Sequence, residues 1–489
     1  MPEPIIMPSL TDIRPFEIST NTSFKEIDRL FALQQNHFSH SIKTTVGERI
    51  KKLKKLREVL IAHRTDIQRA MFEDYHKPAA EVDLAEILPL LNELKFTIRK
   101  LRSWTSDHRV GTPWFLLGGN SYIHYEPKGH CLVIAPWNFP IHLTVMPLLH
   151  AYAAGNVTMI KPSEFTPFSN AIIKKIVNEV FREEEATLVE GDGSVSAYLT
   201  SLRFNHIFFT GSPKIGRMVM KAAADNLASV TLELGGKSPM IIDETADLDL
   251  AAIFTAVIKL TNAGQICISP DHIYVHESVK DSFTAKLLTQ IKARFGEDVR
   301  SLSNADYCHI INKRQALRLK SLLDDAMVKG ANIVFRAGED EEELIGPIIL
   351  TDVSDDMKIV QDEIFGPLTY IRTFNKIDEV INTVAKGEKP LSLYLFTKNK
   401  NTKIRVAREV SAGNMCINAA ALNYYNYNLP FGGVNNSGIG KSHGFHSFQE
   451  FSNAKAVFNQ WSPRPGILLM FPPFTKRTRQ LIDLFLKFF

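Results

Sequence analysis

The feature that most constrains the fold is a regular alternation of short apolar runs with helical patterns between residues 129 and 234. The runs end at Ala135, Ile160, Glu190, Thr210 and Leu234. Strands separated by helices are carried back to the same edge of a sheet, so they lie parallel with helices on both faces. We therefore predict an α/β fold with a doubly wound, Rossmann-like parallel sheet in this segment.

Two of the intervening helices carry start signals. Thr166 stands before Pro167, and Ser212 stands before Pro213, so each helix has an N-cap residue followed by proline at its first position. Apolar residues then recur at helical spacing, and we expect them to face the sheet. In the first helix they are Ile173, Ile176, Val177 and Val180, and in the second Ile215, Met218, Val219, Ala222 and Ala223.

The flanking regions complete the expected architecture. From about Phe24 to Trp104 the sequence is charged and helical in period. After Leu234 a second α/β alternation begins, with a helix near 248–260, strands near 272–276 and 333–335, and further elements to about Ile417. No Ser/Gly linker separates the two lobes, which indicates that they share a cleft.

Composition excludes several classes of protein. Lys and Arg outnumber Asp and Glu by 57 − 53 = +4, a small excess that indicates no nucleic-acid partner. The four cysteines form no CxxC pair, which argues against a disulfide framework or a metal site and favours a reducing, cytoplasmic setting. No secretory signal opens the chain. The uncharged stretch 131–160 contains Pro136, Pro140 and Pro147, so we do not expect it to span a membrane.

Several residues are placed to bind a ligand. Gly211, Ser212 and Gly216 span a strand-to-helix turn whose free amide groups would suit a phosphate, although an ordinary tight turn has the same residues. Lys161 and Glu164 directly follow a strand, where ligands of open α/β sheets bind; the alternative is a solvated loop.

Two further residues are candidates for chemistry. Glu233 lies near a strand end among apolar residues, which suits a general base with a raised pKa, while a solvated sheet face is the alternative. Cys267 lies on a loop between elements, as a nucleophile would, although a free cysteine is often a small buried hydrophobe. Cys131 and Cys416 fall in apolar runs and are expected in the core, whereas Cys308 has no evident partner.

These residues stand in blocks that resemble signatures of the aldehyde dehydrogenase superfamily. The similarity runs from about residue 50 to 458, and SYIHYEPKG, SPDHIYVH and GKSHGFHSF resemble the class-three branch, which includes fatty-aldehyde enzymes. The blocks are APWNFP at 135–140, KPSE at 161–164, FTGSPKIG at 209–216, LELGGKSP at 232–239, NAGQIC at 262–267, EIFGP at 363–367 and PFGGVNNSGIG at 430–440.

The resemblance implies oxidation of an aldehyde to its acid through a cysteine thiohemiacetal and a thioester. Cys267 would be the nucleophile, Glu233 the base for hydrolysis, and Asn138 a donor to the oxyanion. The cofactor would be NAD, with NADP tolerated, and no metal is implied. The resemblance places the cofactor against Trp137, Lys161, Glu164, Gly211, Ser212, Gly216, Glu363 and Phe365.

The same resemblance implies a homodimer and a domain order. The expected segments are 1–110, an N-terminal helical part of the cofactor domain; 111–128, an oligomerisation hairpin; 129–234, the cofactor domain; 235–425, the catalytic domain; 426–460, a return to the oligomerisation and cofactor regions; and 461–489, an amphipathic tail. The basic and apolar tail would suit contact with a membrane surface, or packing on its own fold or a second subunit.

Departures from the family pattern concern loops and substrate preference. Ile266 replaces a small or hydroxyl residue, Asn435 replaces a glycine, and 417–428 lacks an expected Asn-Asp pair. Two alternatives stay open. One is an acylating enzyme that passes the thioester to coenzyme A, and the other is a catalytically silent binding relative.

Overall fold

The computed structural model describes residues 21–298, 307–338, 341–463 and 466–488. Helices and strands alternate along most of this length, as the sequence predicts. The α-helices of the described residues are α1 (Phe24–Ser41), α2 (Val46–Ala62), α3 (Arg64–Tyr75), α4 (Ala79–Val82), α5 (Leu88–Trp104), α6 (His142–Ala154), α7 (Pro167–Val180), α8 (Gly193–Ser201), α9 (Pro213–Asp225), α10 (Leu248–Leu260), α11 (Lys280–Phe295), α12 (Lys313–Val328), α13 (Lys358–Gln361), α14 (Ile377–Lys386), α15 (Lys400–Glu409), α16 (Gly444–Glu450) and α17 (Lys476–Phe488).

A π-helical turn, Asp83–Ile87, connects α4 to α5. The strands form three sheets. The strands are β1 (His108–Val110), β2 (Gly119–Pro127), β3 (His130–Ile134), β4 (Val157–Lys161), β5 (Ala186–Leu188), β6 (His206–Gly211), β7 (Ser229–Leu234), β8 (Pro239–Ile242), β9 (His272–His276), β10 (Asn332–Arg336), β11 (Ile348–Thr351), β12 (Leu368–Phe374), β13 (Ser392–Phe396), β14 (Asn414–Ile417), β15 (Gly438–Ile439) and β16 (Ser452–Gln460).

The first large sheet confirms the predicted doubly wound fold. Its order is β15-β7-β6-β3-β4-β5, and the five strands from β3 to β7 are parallel. The chain runs outward from β3 through β4 to β5 and then returns to β6 on the other side of β3. The strand order therefore reverses between β3 and β6, and ligands of such sheets bind beyond the carboxyl ends of the strands at this point.

Of the two predicted N-caps on this sheet's helices, one is present and one is not. Ser212 caps α9 by accepting the Ile215 N–H at 3.4 Å, but Thr166 makes no side-chain cap on α7. The Asp74 carboxylate instead accepts the N–H groups of Phe168 and Ser169 at 3.1 and 2.9 Å. A carboxylate from another helix thus replaces the predicted local cap.

The predicted apolar face of α9 is wrong at two positions. Ile215 and Met218 are exposed, whereas Gly216, Val219 and Ala223 face the sheet. The helix is therefore rotated so that its smallest residues meet the strands. The stripe predicted on α7 is confirmed, because all four of its residues are buried.

The second large sheet confirms the second α/β lobe. Its order is β10-β11-β12-β9-β8-β13-β14, parallel except for the pairing of β10 with β11. The uncharged stretch 131–160 is a strand, a loop, the buried helix α6 and a second strand. Within the described residues, no helix has the length and apolar character needed to cross a bilayer.

A small antiparallel sheet joins two distant parts of the chain. Its order is β1-β2-β16, and β2 pairs with β16 along all nine residues, from Gly119 with Gln460 to Pro127 with Ser452. The helix α17 follows this sheet, and Phe485 from α17 stacks on Trp114 at 4.8 Å between ring centres. The tail therefore packs against the region before β2.

Candidate active site

The loop that carries Cys267 begins with an unusual backbone turn. After α10 ends at Leu260, Asn262, Ala263 and Gly264 are left-handed, with φ of 53°, 48° and 74°. Consecutive left-handed residues that include non-glycines are strained and persist only where their surroundings hold them. Here the Asn262 side-chain amide donates to the Asn138 carbonyl at 3.0 Å and to the Gln265 carbonyl at 3.1 Å.

Cys267 follows this turn and borders a cavity of about 390 Å³. Its side chain is partly exposed to the cavity but otherwise surrounded by protein. Burial, together with the nearby Glu363 and Glu233 carboxylates, raises the pKa of the thiol to about 12. The thiol is therefore neutral near pH 7 and needs a base before it can attack a carbon atom.

Glu233 lies on β7 and borders the same cavity. Its side chain is buried, which excludes the solvated sheet face considered above. Neither carboxylate oxygen makes a hydrogen bond of acceptable geometry with the described residues. Burial raises the pKa of Glu233 to about 8, against the opposing effects of the Ser442 hydroxyl and the Lys441 ammonium. A carboxyl group with a pKa near neutrality suits proton transfer.

Asn138 lies directly beside the left-handed turn that precedes Cys267. Its side-chain amide donates to the carbonyl of Gln265 at 3.0 Å. Its own backbone carbonyl accepts hydrogen bonds from the Tyr75 hydroxyl and the Asn262 amide, both at 3.0 Å. Asn138 is thus held by three hydrogen bonds, one of them to Gln265, which lies two residues before Cys267.

The expected adenosine end of the cofactor site lies at the carboxyl ends of β4 and β6. The Lys161 ammonium pairs with the Glu164 carboxylate at 2.9 Å, with Lys161 buried and Glu164 partly exposed. Gly211 ends β6 and Ser212 caps α9. A Cβ atom on Gly216 would lie 2.7 Å from Leu234 Cδ2, so glycine lets α9 pack closely against β7.

The expected nicotinamide end lies just after β7, where Glu363 meets Gly235. A Cβ atom on Gly235 would lie 2.2 Å from a carboxylate oxygen of Glu363, so this carboxylate covers the glycine that follows β7. Burial raises the pKa of Glu363 to about 7. Phe365, with φ of 46°, packs edge-on against Trp137 at 5.4 Å. The closely packed glycines and the carboxylates of Glu164 and Glu363 fit a dinucleotide.

The cavity walls include residues that sequence reasoning missed. Tyr424 donates to or accepts from His142 Nε2 at 2.9 Å, and both rings border the cavity with His443. The only sequence signal was the unusual stretch 417–428. Most of the remaining wall is apolar, and its members include Phe139, Leu143, Met146, Pro147, Ile253, Phe254, Val257, Ile258, Ile266, Ile268 and Leu422.

The structure also shows the surroundings of the cysteines and of the possible metal ligands. All four cysteines are free, and Cys131, Cys308 and Cys416 are buried. Cys308 has a partner that the sequence did not show, because its sulfur lies 3.7 Å from Asn262 Oδ1. No group of three or more His, Cys, Asp or Glu residues in the described segments could hold a metal ion.

Comparison with known proteins agrees with this geometry. The model of the aldehyde dehydrogenase family matches residues 11–457. A 4,4'-diaponeurosporen-aldehyde dehydrogenase from Staphylococcus aureus is 40% identical over 450 residues, covering 92% of this chain and 96% of that protein. Aldehyde dehydrogenase family 3 member H1 from Arabidopsis thaliana is 36% identical, covering 89% of each chain.

Solved structures give the same result. A substrate-bound Staphylococcus aureus AldH superimposes with a TM-score of 0.89 at 38% identity, covering 94% of this chain and 99% of that one. An NAD⁺ complex of a Bacillus cereus aldehyde dehydrogenase has a TM-score of 0.80 at 27% identity, covering 90% and 89%. The chain therefore belongs to the aldehyde dehydrogenase family, whose members oxidise aldehydes with NAD(P).

Proposed function

We propose that the protein oxidises medium- or long-chain apolar aldehydes to carboxylic acids, with Cys267 as nucleophile and Glu233 as base. The observation that carries this proposal is that both side chains border one cavity whose wall is largely apolar. A cavity of about 390 Å³ is within the size range of sites for small organic ligands.

The proposed reaction begins with loss of the Cys267 proton to solvent water in the cavity. The sulfur forms a bond to the aldehyde carbon, and the resulting alkoxide is stabilised by the Asn138 amide and the Cys267 N–H. NAD(P), when bound, supplies the hydride acceptor that allows a thioester to form. Glu233 then takes a proton from water as that water attacks the thioester, and the acid leaves as the Cys267 thiol is restored.

For the cofactor, we propose NAD with NADP tolerated. The Glu164 carboxylate would accept hydrogen bonds from the hydroxyls of the adenosine ribose, while the Lys161 ammonium could pair with the 2′-phosphate of NADP. The amides at Gly211, Ser212 and Gly216 would meet the pyrophosphate. Glu363 would hold the second ribose, with Trp137 and Phe365 beside it. A strong kinetic preference for NADP would contradict this assignment.

The function is tested by following NADH absorbance with aldehydes of increasing chain length. Wild-type protein should turn over steadily, with catalytic efficiency that rises with chain length. Cys267→Ser should give no product, and Glu233→Gln should release one reduced cofactor per site before stalling. Higher efficiency for short aldehydes would refute the substrate class, and steady turnover by Glu233→Gln would refute its role.

Two alternatives can be separated in the same assays. An acylating enzyme would form acyl-CoA when coenzyme A is present and would have less need of a base for water. A silent relative would bind cofactor without turnover. The buried Glu233 at the cavity favours hydrolysis over both, because a carboxyl group there suits water activation.

We also propose a cytoplasmic homodimer with the domain boundaries given above. The support is the position of β16 at the edge of its sheet, where it leaves a long strand for a second copy to cover. Light scattering after size-exclusion chromatography should give about twice the 55.1 kDa chain mass. A monomeric mass would contradict the dimer.

The tail is proposed to contact a membrane surface. Lys476, Arg477 and Arg479 open α17, while Leu484 and Leu486 are exposed, so the helix presents both basic and apolar groups. Deleting residues 475–489 should reduce sedimentation with anionic liposomes. Unchanged partitioning would remove the membrane role and leave packing on the Trp114 region.

A further inference from the structure

A buried ammonium group lies behind the active site. Lys77 connects α3 to α4, and its side chain is 0% exposed. Its Nζ lies 3.2 Å from Glu86 Oε1, 3.9 Å from Glu81 Oε1 and 4.0 Å from the centre of the Phe139 ring. A charge without water must be compensated by partners, and two carboxylates and a ring face serve that purpose here.

One of the two carboxylates extends to the loop of Asn138. Glu86 Oε2 accepts the backbone N–H of His142 at 2.8 Å, at the start of α6 and four residues after Asn138. The Phe139 ring under the ammonium adjoins Asn138 itself. Glu86 lies in the π-helical turn 83–87, and such turns are frequent at functional sites.

The other carboxylate extends to the loop of Cys267. Glu81 Oε1 accepts the backbone N–H of Asn262 at 2.9 Å, at the first residue of the left-handed turn. That turn needs outside support because its backbone is strained. The Glu81–Lys77–Glu86 cluster therefore holds one hydrogen bond to each of the two loops that meet at the reaction centre.

We propose that Lys77 is a positioning residue that fixes the Asn138 amide relative to the Cys267 sulfur. Lys77 is not among the residues that border the cavity, whereas its partners Glu81 and Phe139 are, so it acts through the groups that surround its ammonium. This inference rests on the proposed function, because it assigns Lys77 to the addition step in which the oxyanion forms. Without the ammonium, the two carboxylates repel each other. The Asn138 loop and the Cys267 loop are then no longer held at a fixed distance from one another.

The proposal predicts a specific split between two measurements. Addition of the aldehyde requires the Asn138 amide and the Cys267 sulfur at the correct distance and angle from each other, and a displacement near 1 Å lowers the rate roughly a hundredfold. Alkylation of Cys267 by iodoacetamide also uses the thiolate but forms no oxyanion, so it does not depend on the position of the Asn138 amide. A general loosening of the fold would instead expose the thiol and accelerate alkylation.

The test is Lys77→Met in the full-length protein with bound NAD. We expect the rate of the first-turnover NADH burst to fall at least about tenfold, with unchanged KM for NAD and an unchanged alkylation rate. Lys52→Met is the matched control, because it removes a mostly buried ion pair, with Glu185, that involves neither loop. It should leave the burst rate unchanged.

A second variant separates positioning from charge balance. Lys77→Met/Glu86→Gln removes both charges but keeps an oxygen that can accept the His142 N–H, so thermal stability should recover while the burst stays slow. Recovery of the burst together with stability would overturn the proposal, as would faster alkylation in Lys77→Met. If wild-type protein gives no burst, or Cys267→Ala retains one, the proposed function fails irrespective of Lys77.

Discussion

Glu233→Gln should make the protein more stable, and by an amount that grows with pH. The folded-state pKa of Glu233 is about 8, above the ordinary value of 4.5, because the side chain is buried. Compared with the unfolded chain, the folded protein favours the neutral form of this carboxyl group. That contribution to stability is fully present below pH 4.5 and is lost as the pH rises through 8. Glutamine carries no charge at any pH, so it avoids this loss.

The magnitude follows from the two pKa values. Each pKa unit between the folded and unfolded states is worth about 1.4 kcal/mol, so the cost of Glu233 at pH 9 is on the order of 5 kcal/mol. At pH 5 the cost is below about 1 kcal/mol. Unfolding entropy near 2.1 cal/mol/K per residue gives about 1 kcal/mol/K for a chain of this length. The expected gain in Tm is therefore about 5 °C at pH 9 and about 1 °C at pH 5.

Differential scanning calorimetry at pH 5, 7 and 9, without cofactor, provides the measurement. Glu58→Gln is the control, because Glu58 lies on the exposed side of α2 and its substitution should give the same Tm change at each pH. A difference between Glu233→Gln and wild type that stays constant, or shrinks as the pH rises, would refute the argument that burial destabilises the charged carboxylate.

Other consequences can be checked independently. Wild-type deacylation should accelerate with pH and level off near pH 8, because Glu233 acts as its carboxylate; a flat profile from pH 6 to 9 would contradict this role. Asn138→Ala should lower the burst rate by roughly 10²–10³ through loss of an oxyanion donor, and a full-rate burst would exclude that donor role. Gly216→Val should weaken NAD binding measured by calorimetry, because even its Cβ would lie 2.7 Å from Leu234 Cδ2; unchanged affinity would show that α9 can shift without cost.

Patterns within short stretches of sequence were enough for much of the fold. The five apolar runs predicted strands β3 to β7 because a strand and its crossover helix are specified by local hydrophobic periodicity. Motif order likewise predicted Cys267, Glu233 and Asn138 as site residues, and Cys267 and Glu233 border one cavity. Local periodicity was not enough for α9, because Ile215 and Met218 have helical spacing but lie on the side away from the strands.

What only the tertiary structure decided depends on groups far apart in the sequence. The sequence left open whether Glu233 is solvated. The packing around β7 buries its side chain and raises its pKa to about 8. The contact of Glu81 with Asn262 joins residues 181 positions apart, and no periodicity encodes such a pair. Motifs specify which groups are present, whereas their proton affinity and relative placement follow from desolvation and contact, which exist only once distant segments are packed together.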